Sequence, residues 1–347
     1  MKIKLRPVAA IAAVALAAGL FAGCGLADNA TVATVNGESI GKAEFVFYFT
    51  QMQNTMLTEA QVMSAAEANA FWDTTEIEGK PAADVARERA LDEAVKVVLK
   101  TQKAAELGVS LTDDEKQSLQ QQIGQTITNM GGKSQYESEL KKMGTTAEGY
   151  ERFMEQNLLA GKVDQTLSED PAYAVSDEEA TAYASENYIK AKHILLATID
   201  TTTREPLDDT VKAEKKAKAD ELLAQIRGGA DFDELMNANS EDPGLQQMPD
   251  GYVFGKGEMV KSFEDASYAL EIGQVSDVVE SEMGYHIIKR EAMSDADVQS
   301  MLENARQEVL TDKIDALVEE WRKEAAIEVD ENALSKLEPT EIEESAA

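Results

Sequence analysis

Apolar and polar positions divide the chain into stretches of different period. Val8–Phe21 is an almost unbroken apolar run, too short to span a bilayer comfortably and preceded by Lys2, Lys4 and Arg6. That is the pattern of a signal peptide, residues 1–23, rather than of a core helix. Ala33–Ile40 reads as a strand, an Asn-Gly turn and a helix entry. From Lys42 the period becomes helical, through Phe45, Phe47, Tyr48, Phe49, Met52 and Met56. Lys80–Leu107 repeats it with Ala90, Leu91, Ala94, Val95, Val98 and Leu99, and Gly108 stops it. Thr112…Glu115, Ser134…Glu137, Thr145…Glu148 and Ser176…Glu179 have capping-box spacing and predict helix starts. Asp170-Pro171 breaks the helix before the last of these.

At Tyr188 the pattern changes. Ala191–Leu196 and Gly284–Lys289 are short β-like apolar runs. Between them lie helices predicted near Asp209–Ile226, ended by Gly228-Gly229, and near Phe232–Ala238. The order strand, helix, helix, strand, helix, strand is an α+β pattern, not a βαβ alternation. A further helix is predicted over about Asp295–Ala325, with Val298, Met301, Leu302, Ala305, Val309, Ile314, Leu317 and Trp321 on one face. Such a face needs a partner, and the N-terminal helical region supplies one. Ile327–Val329 alternates like a strand that pairs with Ala33–Val35.

Composition narrows the classes. The 347 residues carry a net charge of −32, of which the first six residues contribute +3, so the remainder is near −35. Such acidity argues against a nucleic-acid partner and against charge-driven binding to anionic lipid. Residues 30–187 contain no His, no Cys, no phosphate-binding glycine loop and no metal-ligand spacing. Met52, Met56, Met63, Phe71 and Trp72 suit either a helical core or an adaptable peptide groove. The two histidines, His193 and His286, both fall in the central stretch, with no close ligand pair that would suit zinc.

The central stretch resembles the parvulin family of peptidyl-prolyl cis/trans isomerases. The carriers are Ala191–Leu196, Gly228–Leu235, Ser240–Asp242, Gly257–Met259 with Phe263–Ala266, Gly273–Val275 and Gly284–Lys289. The resemblance implies a small antiparallel sheet wrapped by helices and a shallow proline pocket with the histidines beneath it. It implies catalytic roles for His193, Asp242, Ser281 and His286, and a pocket lined by Met259 and Phe263, with no cofactor and no metal. The two histidines are implied to lie on adjacent strands within hydrogen-bond reach. Met248–Val253 departs from the family's Gly-Gly-Asp-Leu-Gly, with Gly251 and Tyr252 at the Leu and Gly positions of one pocket wall. The loop after Leu196 lacks a basic cluster, so no preference for a phosphorylated residue before proline is expected.

Two flanking features resemble the PrsA and SurA foldases. Val32–Ile40 with Glu44, and Leu107–Glu115, are similar to their helical chaperone portion. Phe21-Ala22-Gly23-Cys24, holding the single cysteine, resembles a bacterial lipobox, which implies cleavage before Cys24 and a lipid on its thiol. The expected architecture is therefore a signal peptide (1–23), an N-terminal helical chaperone region (24–187), a parvulin-like domain (188–292) inserted in it, a completing helix and short strand (293–332), and a disordered acidic tail (333–347). The expected function is an extracytoplasmic, membrane-anchored foldase that binds unfolded or partly folded secreted polypeptides and isomerises X–Pro bonds. A holdase with an inactive parvulin-like domain is the alternative. A transporter's solute-binding lipoprotein would need repeated βαβ lobes that the pattern lacks. Whether two chains pair as a homodimer is left open.

Overall fold

The computed structural model describes residues 29–60, 62, 64–200, 203 and 205–339. The signal region, Cys24, Met63 and the end of the acidic tail lie outside them. In chain order the elements are β1 (Thr31–Val35), β2 (Glu38–Gly41), α1 (Lys42–Glu59), α2 (Ala65–Thr74), β3 (Glu76–Ile77), β4 (Lys80–Pro81), α3 (Ala82–Ala104), α4 (Asp113–Asn129), α5 (Lys133–Lys142), α6 (Ala147–Glu169) and α7 (Asp177–Asn187). There follow β5 (Ile189–Ala197), α8 (Asp209–Arg227), α9 (Phe232–Asn239), β6 (Tyr252–Phe254), α10 (Lys261–Ala269), β7 (Val279–Ser281), β8 (Gly284–Glu291), α11 (Asp295–Glu324), β9 (Ile327–Val329) and α12 (Glu331–Leu334). The class is α+β. Among the described residues no helix is long and apolar enough to cross a membrane.

The chain divides into two compact units, one taking the described residues up to Ala174 and from Thr311 onward, the other Val175–Leu310. In the first unit, β1 sits between β2 and β9, all antiparallel, with Ala33 opposite Val329 and Val35 opposite Ile327. Phe45, Val46, Phe47, Tyr48 and Phe49 are all buried, so the start of α1 is enclosed on every side. Phe47 stacks on Phe153 of α6 and Tyr48 meets the same ring edge-on, at 5.1 and 4.9 Å between ring centres. Of the Met and aromatic set read two ways above, Met56 and Trp72 are core, while Met52 and Phe71 are half-buried.

The second unit holds a four-stranded antiparallel sheet in the order β6-β5-β8-β7. One face packs Ile194, Leu196 and Ile287 against Leu222 and Leu223 of α8 and Phe232 and Met236 of α9. The other packs Ile189, Ala191 and Ile288 with Phe254 against Phe263 of α10. Strands buried on both faces read as continuous apolar runs, which is why Ile194-Leu195-Leu196 and Ile287-Ile288 lack a strict alternation.

Several expectations are corrected. The second unit begins at Val175, not Tyr188, because Ala180 and Ala184 of α7 pack with Tyr188 and with Ala305 of α11. Helix α11 is likewise shared: residues up to Leu310 go with the second unit and only those from Thr311 with the first. Residues 333–337 are not a disordered tail: Ala333, Leu334 and Leu337 are buried and the Leu337 carbonyl accepts from Arg87 Nη1 at 2.6 Å. Thr112 and Ser176 cap their helices as spaced, but Ser134 and Thr145 do not. Left-handed Gly131 and Gly132 turn the chain into α5 two residues early, with Gly132 at the cap. Thr145 spends its hydroxyl on the Ala43 carbonyl, and Thr146 takes the cap position, accepting from the Gly149 N–H at 3.1 Å. The short strand β7 was not anticipated.

Candidate active site

The antiparallel register of β5 and β8 places His193 opposite Ile288 and His286 opposite Leu195. The two histidines are thus diagonal neighbours on one face, a distance that ring side chains can bridge. Their rings lie nearly parallel, 11° apart with centres at 5.2 Å, and their Nδ1 atoms are 3.0 Å apart. Both are buried.

Asp242 is brought to His193 by the segment that leaves α9. Ser240 Oγ accepts from the Leu195 N–H at 3.1 Å, and the Glu241 N–H donates to the Leu195 carbonyl at 2.8 Å. The Glu241 carboxylate accepts from the Ala197 N–H at 2.9 Å. Three bonds therefore fasten this segment to β5. Asp242 then divides its work. Oδ1 accepts from the Gly244 N–H at 3.0 Å, the local turn expected of Asp before Pro243. Oδ2 lies 3.1 Å from His193 Nε2 and accepts from the Tyr252 hydroxyl at 2.7 Å. At the far end, Ser281 Oγ is 2.7 Å from His286 Nε2 and accepts from the Met283 N–H at 3.1 Å.

The proton positions follow from the carboxylate. Burial pushes the Asp242 carboxyl up, but hydrogen bonds from His193, Tyr252 and Gly244 outweigh it and hold it at about 2. An ionised Asp242 only accepts, so His193 donates through Nε2. With one ring proton on His193, its Nδ1 accepts, His286 donates through its Nδ1, and His286 Nε2 accepts the Ser281 hydroxyl proton. Burial first, and the neighbouring His193 second, push His286 down to about 3, so its ring is neutral at working pH. In that state the row Ser281, His286, His193, Asp242 has a single direction of donation.

Phe263 presses its ring edge-on to both histidines, with centres 5.1 Å from His193 and 5.3 Å from His286. Met259 packs into the same apolar cluster. All six expected residues of this site, His193, Asp242, Ser281, His286, Met259 and Phe263, lie in this one unit. Cys24, the expected lipidation site, lies outside the described residues. Sequence reading missed Tyr252, treated there only as a departure at a pocket wall, together with Ser240 and Glu241. The departure itself was the signal. Gly251 has φ +95° and an added Cβ would meet the Ala191 carbonyl oxygen at 2.6 Å, so glycine there lets β6 approach β5 and deliver Tyr252 to Asp242.

A row of buried histidines joined to a carboxylate on a helix-wrapped four-stranded sheet defines a parvulin-type domain. Residues 175–293 match the PPIC-type PPIase domain family. Residues 2–164 match the SurA-like N-terminal domain. The chain is PrsA-like, joining those two parts. It is 33% identical to foldase protein PrsA of Halalkalibacterium halodurans over 51% of this chain and 48% of that one. It is 37% identical to that of a Geobacillus species over 46% and 55%, and 32% identical to that of Staphylococcus aureus over 58% and 63%. The matches thus span half to somewhat under two thirds of these relatives. A crystal structure of peptidylprolyl isomerase PrsA from Bacillus cereus, 22% identical, covers 89% of this chain and 96% of that one at a TM-score of 0.32, too low to support a structural argument.

Proposed function

We propose that this chain is an extracytoplasmic foldase, anchored by lipid on Cys24, that isomerises X–Pro bonds of unfolded secreted polypeptides with its second unit and holds those polypeptides with its first. The observation that carries the reading is the single hydrogen-bonded row from Ser281 to Asp242 lying against Phe263. An X–Pro bond is held planar by a barrier of about 20 kcal/mol from amide resonance, and no bond need break for it to turn. Catalysis then requires only that the twisted amide be bound better than either planar form. Phe263 and Met259 offer the apolar surface for the proline ring. The planar amide carries extra negative charge on its carbonyl oxygen, and twisting returns that charge to nitrogen. A fixed carboxylate at Asp242 disfavours the charged planar oxygen more than the twisted one. Each 1.4 kcal/mol of that difference is worth about tenfold in rate. His193, His286 and Ser281 hold the carboxylate's partner in one orientation.

The test is X–Pro exchange measured by NMR on an unphosphorylated peptide, using soluble residues 25–347, beside His193→Ala, Asp242→Ala and Met259→Ala checked for folding. Rapid exchange that the folded variants lose supports the reading. A folded wild type without exchange on several peptides leaves the alternative, a holdase. Labelled palmitate incorporated by the full chain and lost in Cys24→Ser tests the anchor.

A further inference from the structure

Tyr252 is held more tightly than a pocket wall requires. Its hydroxyl lies 2.7 Å from Asp242 Oδ2, the same oxygen that receives His193 Nε2. Its ring stands edge-on to His193, with centres 5.8 Å apart and planes at 79°. The turn at Pro243-Gly244 is wrapped around that hydroxyl: a Cβ added to Gly244 would fall 2.0 Å from the Tyr252 oxygen and 3.4 Å from Asp242 Oδ1. Gly244 has no need of a left-handed backbone, so its missing side chain serves the phenol. Gly251, next to Tyr252, is tied by its own close approach to the Ala191 carbonyl. Two glycines thus make room for one hydroxyl on one carboxylate oxygen.

We propose that Tyr252 is a positioning residue for the isomerase site: it shares Asp242 Oδ2 with His193 and thereby holds that carboxyl against the His193 ring. The proposal rests on the isomerase reading for its rate consequence but not for its geometry. Asp242 is faced by His193 of β5, by His286 one ring further on and by Tyr252 of β6, while its neighbour Glu241 turns to the Ala197 N–H and Lys215. Removing the phenol leaves His193 and the Gly244 N–H as the remaining donors to Asp242. The carboxyl should become easier to protonate. Once protonated it no longer dictates which nitrogen of His193 carries hydrogen.

The experiment titrates the Asp242 carboxyl carbon and the ring nitrogens of His193 and His286 by NMR in the full soluble protein, for wild type, Tyr252→Phe, Gly244→Ala and the double variant. Tyr252→Phe should raise the Asp242 midpoint by about one pH unit and mix the His193 tautomers. It should lower kcat/KM about three- to tenfold while KM moves less than about twofold. Gly244→Ala should produce the same changes, and the double variant should be no worse than Tyr252→Phe, since both remove one contact. An Asp242 midpoint unchanged in folded Tyr252→Phe, or additive losses in the double variant, overturns the proposal. If Tyr252→Phe does not fold, the wild type still decides: a hydrogen–deuterium isotope shift at Asp242 Cγ passed from the Tyr252 hydroxyl is required, and its absence is fatal. The titration needs no turnover, so a wild type without exchange would sink the isomerase reading and leave this one standing or falling separately.

Discussion

Acid should loosen the second unit well before its carboxylates protonate. His286 is buried, its Nδ1 lies 3.0 Å from His193 Nδ1 and its Nε2 lies 2.7 Å from Ser281 Oγ. A second ring proton would displace the Ser281 hydroxyl and place charge in an apolar surround, which is why its pKa falls from 6.5 to about 3. The unfolded chain binds that proton below 6.5 and the folded one does not. Stability is therefore complete above 6.5 and declines as pH falls towards 3, by up to about 1.4 kcal/mol per unit. At pH 5 the loss is about 2 kcal/mol, a large part of the roughly 5–15 kcal/mol typical of a domain. Asp242 adds to it only below its ordinary 3.8, since its own value is about 2. Glu44 and Asp164, whose carboxyls burial raises, act in the opposite sense but belong to the first unit.

Both tryptophans, Trp72 and Trp321, also belong to the first unit, so their fluorescence is the wrong reporter. Native-state hydrogen exchange at Ile194 and Ile288, in the central strand pair, reads the second unit directly. The opening free energy at these amides should fall by about 2 kcal/mol from pH 7 to pH 5 in wild type and stay nearly level in His286→Gln. An equal fall in both proteins would refute the assignment of the acid sensitivity to His286.

Two substitutions test close approaches. Gly251→Ala puts a side chain into a left-handed backbone and 2.6 Å from the Ala191 carbonyl oxygen, and should cost about 2–4 kcal/mol in urea unfolding of the second unit and weaken exchange catalysis. Gly149→Ala, in α6, meets the Ala43 carbonyl oxygen at 2.6 Å and its Cβ at 2.7 Å, so it should separate α6 from α1 and cost about 1–3 kcal/mol, read by Trp72 fluorescence, with the His286 nitrogen shifts unchanged.

Local chemistry explains what was legible in the sequence. The helices α8, α9 and α11 are bounded by glycines, acidic caps and apolar stripes that act within a few residues, and their ends fall within about two positions of the expected ones. The pairing of Ile327–Val329 with Ala33–Val35 was legible in its alternation, and it takes the edge of β1 that β2 leaves open. The boundary at Val175 was hidden because α7 is bound to its unit by alanines, Ala180, Ala184 and Ala305, whose small size gives no apolar signal in a window. Leu337 is fastened by Arg87, 250 positions away in the chain. Tyr252 was hidden for the same reason at the site: its importance lies in distances to Asp242 and Gly244 that no spacing encodes.

The site's connectivity invites comparison with acyl transfer, and its electrostatics answer it. A hydroxyl on a histidine, with a carboxylate at the other end of the row, is the order of a serine hydrolase triad, here with a second imidazole interposed. A triad needs a base whose pKa lies near the working pH, so that it can take the serine proton as attack proceeds. His286 sits at about 3, which is about four orders of magnitude less proton affinity than a base near 7. Its lost basicity comes from burial and from the adjacent His193, both of which are consequences of burying two imidazoles edge to edge. Ser281 is further committed as acceptor of the Met283 N–H. The same contacts that bury His286 and keep it neutral therefore disarm its serine. An activated ester such as p-nitrophenyl acetate should be hydrolysed at the same rate with wild type and with Ser281→Ala, while X–Pro exchange falls in the variant. Ester turnover that depends on Ser281 would mean that His286 is a working base, and the reasoning from a neutral His286 would fail with it.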